Sequence, residues 1–99
     1  MVSEQQELSP LAKQARDEVR SFYEANHDQL ARAREKRSYY YDYLSRVLKA
    51  RVAPGQRVLE IGCGSGDLLA AVSPSFGVGI DLSGKAVAAA RARHPDLHF

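Results

Sequence analysis

Leu11, Ala15, Val19 and Phe22 recur at steps of four, four and three through an otherwise charged stretch, the spacing of one face of an α-helix. Ser9-Pro10 stands just before them. Serine is a good N-cap, and proline suits the first helical position, where its missing N–H has no partner to lose. The pattern predicts an amphipathic helix over about residues 10–26. Asn26-His27-Asp28 interrupts it, and the charged run Arg32-Ala33-Arg34-Glu35-Lys36-Arg37 shows no apolar stripe. Tyr40, Leu44, Val47 and Leu48 then resume helical spacing, which predicts a second helix over about residues 36–50.

The period changes after Pro54-Gly55. Val58-Leu59-Glu60-Ile61 is a short, mostly apolar run ending in glycines, which suits a buried parallel strand. Asp67 to Val72 reads as two helical turns stopped by Ser73-Pro74-Ser75, and Val78-Gly79-Ile80-Asp81 as a second strand. Ser83 caps a third predicted helix, rich in alanine from Ala86 to Ala92 and ended by Pro95, and Leu97-His98-Phe99 begins another strand. Strand, helix, strand, helix, strand with short connections is the order of a parallel α/β unit. The expected organisation is a helical lead-in over residues 1–54 and an α/β portion over 55–99, with no internal repeat.

Composition narrows the possibilities. Ninety-nine residues hold one small domain or part of a larger one, and a chain this short buries only about 60–65% of its unfolded surface, so the core is small. Fourteen Lys and Arg against 12 Asp and Glu leave a net charge of +2, too little to make nucleic acid or an acidic membrane the expected partner. Residues 1–20 hold Glu4, Glu7, Asp17 and Glu18 and no apolar run, so neither a signal peptide nor a membrane anchor is expected there. The single cysteine, Cys63, allows no internal disulfide, which fits a cytoplasmic protein.

The chemistry concentrates in Glu60-Ile61-Gly62-Cys63-Gly64-Ser65-Gly66-Asp67 at a strand-to-helix turn, with Asp81 closing the next strand 21 residues after Glu60. Glycines at such a turn leave the carboxyl edge of the strand open to a flat ligand, and a carboxylate at the following strand end can accept hydrogen bonds from both ribose hydroxyls. Counting from Gly62, the third glycine of a dinucleotide fingerprint is replaced by Asp67, which would set a like charge against a pyrophosphate. A nucleoside ligand without phosphates is therefore expected. S-adenosylmethionine, with its sulfonium and zwitterionic amino-acid tail, agrees in sign with a carboxylate at Glu60.

Val58-Leu59-Glu60-Ile61-Gly62-Cys63-Gly64-Ser65-Gly66 followed by Gly79-Ile80-Asp81-Leu82-Ser83 resembles the first two motifs of class I S-adenosylmethionine-dependent methyltransferases, over about residues 56–99. The resemblance implies the first βαβαβ portion of a Rossmann-like parallel sheet, preceded here by two helices. It further implies that the Gly62, Gly64 and Gly66 loop runs beside the cofactor, Glu60 supports its methionine end, Asp81 holds the ribose and Leu82 contacts the adenine. Arg37 to Leu44 is similar to the helical lead-in of bacterial chains in which such a domain precedes a glycosyltransferase domain. A complete sheet of this kind needs about twice this length at roughly 30 residues per βαβ unit. The expectation is thus an incomplete domain, inactive alone and prone to associate unless further sequence or a partner completes it, with catalytic residues and methyl acceptor unassigned.

Two rival readings of the whole chain are a dinucleotide-dependent oxidoreductase using NAD and a helical interaction module over residues 10–50. Smaller constellations are set aside. Gly79 to Lys85 has phosphate-loop spacing, but Ala86 stands where a hydroxyl should bind magnesium. Pro95 keeps His94 and His98 off one helical face, so no metal site is expected. Asp67 reads as an ordinary first-turn carboxylate and Cys63 as a small packed residue rather than a nucleophile. Glu35 and Asp42 interrupt the basic, tyrosine-bearing surface, and helical packing accounts for Tyr40 and Tyr43.

Overall fold

The computed structural model describes residues 7–99, so the reading of residues 1–6 as free of a signal or anchor lies outside the described residues. Helix α1 (Pro10–Ala25) starts where the sequence predicts, with Ser9 Oγ accepting the Ala12 N–H at 3.2 Å. It ends because Asn26 donates both its main-chain N–H, at 3.0 Å, and its side-chain amide, at 2.8 Å, to the Phe22 carbonyl. The chain then resumes as α2 (His27–Lys36), and after Arg37 as α3 (Ser38–Arg51).

The lead-in therefore has three helices, not two. The charged run that shows no apolar stripe is helical up to Lys36, with Arg37 as the turn into α3. Its Arg, Glu, Lys and Ala residues are strong helix formers, and Asp28 in the first turn with Arg34 and Lys36 in the last complement the helix dipole. The stripes also face differently from expectation. Leu11 and Phe22 are well exposed on α1, and on α3 the side turned inward carries Tyr41, Leu44 and Leu48, while Tyr40 and Tyr43 point to solvent.

The α/β portion follows the predicted order: β1 (Arg57–Ile61), α4 (Asp67–Ala71), β2 (Phe76–Ile80) and α5 (Gly84–Arg93). The two strands are parallel and in register from Arg57 opposite Phe76 to Ile61 opposite Ile80. The expected third strand is present as a parallel bridge between Val78 and His98, made by Gly79 N–H to the His98 carbonyl at 2.8 Å and His98 N–H to the Gly77 carbonyl at 3.0 Å. Among the described residues the other edge of β1 is unpaired. The result is an open parallel α/β sheet, the Rossmann-like portion that the motifs imply.

The two faces of the sheet differ sharply. Strand alternation puts Val58, Glu60, Gly77 and Gly79 on one face, and there a methyl group at Gly77 would press on Leu97, Pro74 and Leu69, and one at Gly79 on Cys63 and Phe99. On the other face Leu59 is 60% exposed and Ile61 78%. The apolar run of β1 is thus half-buried, not buried on both sides as its composition suggested, because the helices among the described residues leave this face bare. The core is correspondingly small: Cys63, Leu69, Val72, Ala86 and Ala90, with Ser83 as its buried polar member. Ser83 Oγ accepts the Ala86 N–H at 3.2 Å and so caps α5 as the sequence predicts. No helix is long and apolar enough to cross a membrane among the described residues.

Candidate functional site

The loop after β1 turns on three glycines with left-handed backbone, Gly62 at φ 74°, Gly64 at 53° and Gly66 at 79°. A side chain rarely adopts these angles, which is why the sequence alternates glycine there. The loop is tied to the neighbouring strand end. Gly62 and Cys63 donate their N–H groups to the Ile80 carbonyl at 2.8 and 3.0 Å, and Gly64 donates to Asp81 Oδ2 at 2.9 Å. The second Asp81 oxygen, Oδ1, accepts the Ser83 N–H at 2.9 Å. Asp81 therefore shapes the start of α5 and clamps the glycine loop with the same carboxylate, each oxygen keeping capacity for a further donor.

This junction opens into a cleft of about 700 Å³, within the range of small-molecule sites. Glu60, Gly62, Gly64 and Asp81 line it together. Gly66 does not: it is buried at the N-cap of α4, where a methyl group would lie 2.6 Å from the Phe99 ring. Leu82 is 43% exposed next to Asp81 and also lies off the lining. The opposite wall comes from the lead-in, with Arg34, Tyr41, Asp42 and Ser45 among its residues. Helix α3 packs along α4, which carries the lead-in over the glycine loop. Carboxylates at Glu35, Asp42, Glu60, Asp67 and Asp81 face guanidiniums at Arg34, Arg37 and Arg93 around the cleft.

Glu60 is the unusual member. Its Oε1 is buried with no hydrogen-bonding partner among the described residues. Burial raises its carboxyl above the ordinary value, opposed by the charge of Arg34 and by the Leu69 main-chain N–H, and reinforced by Asp67 and Asp81. Asp67 behaves oppositely. Its burial favours the neutral form, but His94 Nε2 at 2.7 Å and the Arg93 fork at 3.1 and 3.0 Å outweigh it and hold the carboxyl below its ordinary value. Asp67 is thus a first-turn helix carboxylate committed to α5. Burial, then the nearby Asp81 and Glu60 charges, push the Cys63 thiol up, and the side chain is packed in the small core. His98 lies against Phe76 with ring centroids 4.8 Å apart, the two rings tilted by 35°.

Arg34 and Tyr41 are the lining residues that the sequence left out. The guanidinium of Arg34 stacks 4.3 Å from the Tyr41 ring centroid and lies 3.6 Å from where a Gly64 Cβ would stand. No motif marks them, since their relation to the loop is a packing of α2 and α3 against a glycine, Gly64, that lies 30 positions from Arg34 and 23 from Tyr41 in the chain.

A parallel sheet with a glycine loop at the end of its first strand and a clamping acid at the end of its second is compatible with a methyltransferase-like protein. The family model described as Methionine biosynthesis protein MetW matches residues 41–97, more than half of the chain, and the chain belongs to this methyltransferase-like family. Comparison with curated proteins and with solved structures finds no match.

Proposed function

We propose that the cleft binds S-adenosylmethionine as a class I methyltransferase does and serves methyl transfer to an acceptor. The observation that carries the reading is the partnerless buried oxygen of Glu60 on the same cleft as Asp81. A buried carboxylate oxygen kept without a donor is costly unless a cationic or hydrogen-bonding ligand completes it. The residues fit this cofactor. A methyl group at Gly62 would meet nothing within 4 Å, so the loop leaves open space where a nucleoside can lie against peptide groups. On this reading Glu60 takes the ammonium of the methionine end and Asp81 accepts from the ribose, while Gly62 and Gly64 border the ligand. Gly66 sets the turn from beneath, and Leu82 covers the adenine. The bound sulfonium supplies an activated methyl group, and the chain supplies orientation and a partly dry wall.

Residues 1–54 and 55–99 are then a lead-in and a cofactor-binding portion that share one cleft, which favours this reading over a separate helical interaction module. Calorimetric titration with S-adenosylhomocysteine and with NAD tests it. Binding of S-adenosylhomocysteine that is lost in Asp81→Ala supports it; binding of NAD with no response to S-adenosylhomocysteine overturns it in favour of an oxidoreductase.

A further inference from the structure

We infer that Arg34, carried by the lead-in helix α2, binds the carboxylate of the ligand's amino-acid tail while Glu60 takes its ammonium, so that the two side chains select a zwitterionic α-amino acid. The inference rests on the S-adenosylmethionine reading and adds to it a residue from outside the glycine-loop motifs.

Arg34 is a cation with capacity to spare. Its side chain is only 24% exposed, and its guanidinium lies over the Tyr41 ring and beside Gly64. It makes no hydrogen bond among the described residues. Its ion-pair partner is Asp67 at 3.7 Å, beyond hydrogen-bonding distance. Asp67 is already served by the two-pronged Arg93 contact and by His94. The Arg34 fork is therefore free to face the cleft, which it lines together with Glu60.

Glu60 has the complementary surplus, an oxygen without a donor. The two side chains do not close on each other, since no Arg34–Glu60 ion pair within 4.0 Å exists among the described residues. A cation and an anion held apart on one cleft match a group that carries both charges on a single carbon. The electrostatics also favour it. A ligand carboxylate entering beside Glu60, Asp67 and Asp81 is repelled unless a cation meets it; Arg93 is committed to Asp67, and of the two other guanidiniums on the lining, Arg34 is the one set beside Gly64. A planar guanidinium can engage a carboxylate through two parallel N–H bonds, and the Tyr41 ring beneath it limits where the side chain can go.

The test uses the full chain and calorimetry with three thioethers: S-adenosylhomocysteine, the same molecule lacking only its carboxyl group, and 5′-methylthioadenosine, which lacks the whole tail. The protein should bind the decarboxylated ligand about 10- to 100-fold more weakly than S-adenosylhomocysteine. Arg34→Gln should lose a similar factor for S-adenosylhomocysteine with 5′-methylthioadenosine unchanged, and Arg34→Lys should fall between. Equal affinity of the wild type for S-adenosylhomocysteine and its decarboxylated form overturns the inference and leaves the cofactor reading standing, and needs no variant to fold. Equal losses for all ligands in Arg34→Gln also overturn it. A wild type that binds none of the three removes the cofactor reading itself and this inference with it.

Discussion

Asp81 Oδ2 accepts the Gly64 N–H at 2.9 Å, so the carboxylate at the end of β2 fixes the glycine loop that follows β1. Since Oδ1 holds the Ser83 N–H as well, removing this side chain frees two backbone donors at once. Hydrogen bonds to a charged group contribute about 1.5–3 kcal/mol each, and these are only partly buried. Asp81→Ala should lower unfolding free energy by about 2–3 kcal/mol, measured from denaturant midpoints. A loss below ~0.5 kcal/mol would mean that the loop holds itself.

Glu60→Gln should separate stability from binding. The folded-state carboxyl lies above its ordinary value of 4.5, so the folded form binds more protons than the unfolded one between those two values. Stability therefore falls as pH rises through that window and stays lowered at neutral pH. The amide removes this cost, so the variant should melt higher than wild type at pH 7 and show no slope in the window. On the proposed reading it binds S-adenosylhomocysteine more weakly.

Asp67 has the opposite sign. Its folded carboxyl lies below the ordinary 3.8, so its stabilising contribution is complete above that value and is lost as pH falls through the folded one. Asp67→Asn should cost stability at pH 6 and flatten the acid side of the profile below pH 4, read from thermal melts across pH. An unchanged acid limb would refute the pairing with Arg93 and His94 as its source.

Two glycines on the same loop should respond differently to alanine. At Gly62 the new methyl group meets open space, leaving only the left-handed backbone to resist it, at about 1–2 kcal/mol. At Gly66 the same backbone cost is joined by contacts of 2.6 and 2.7 Å with the Phe99 ring. Gly66→Ala should therefore lose about 1–3 kcal/mol more than Gly62→Ala in chemical denaturation. Equal losses would show that Phe99 yields freely.

The strands, the glycine loop, the Ser83 cap and the convergence of Glu60, Gly62, Gly64 and Asp81 were legible because each rests on local rules: period, turn chemistry, and the opening at the carboxyl ends of parallel strands. Helix α2 was not. An apolar stripe reveals a helix that buries one face, and Arg32 to Arg37 has none, its stability coming from propensity and from Arg34 resting on the loop. The face of α3 that turns Tyr41 inward in place of Tyr40 is the one packed on α4, a partner invisible in a stretch of tyrosines. The bare face of Leu59 and Ile61 was hidden for a related reason, since an apolar run says that a strand can be covered, not which elements cover it.

The cleft inverts the charge of the molecule that contains it. The chain carries +2, yet five carboxylates face three guanidiniums around the opening. Such a funnel draws cations and is indifferent to neutral molecules. On the proposed reading the methyl-bearing cofactor arrives with one net positive charge and departs, once spent, with none. Stopped-flow association should then be faster for S-adenosylmethionine than for S-adenosylhomocysteine, and only the former should slow markedly as salt rises from 0.05 to about 0.5 M. Fresh and used cofactor would be told apart during approach, before any side chain touches either.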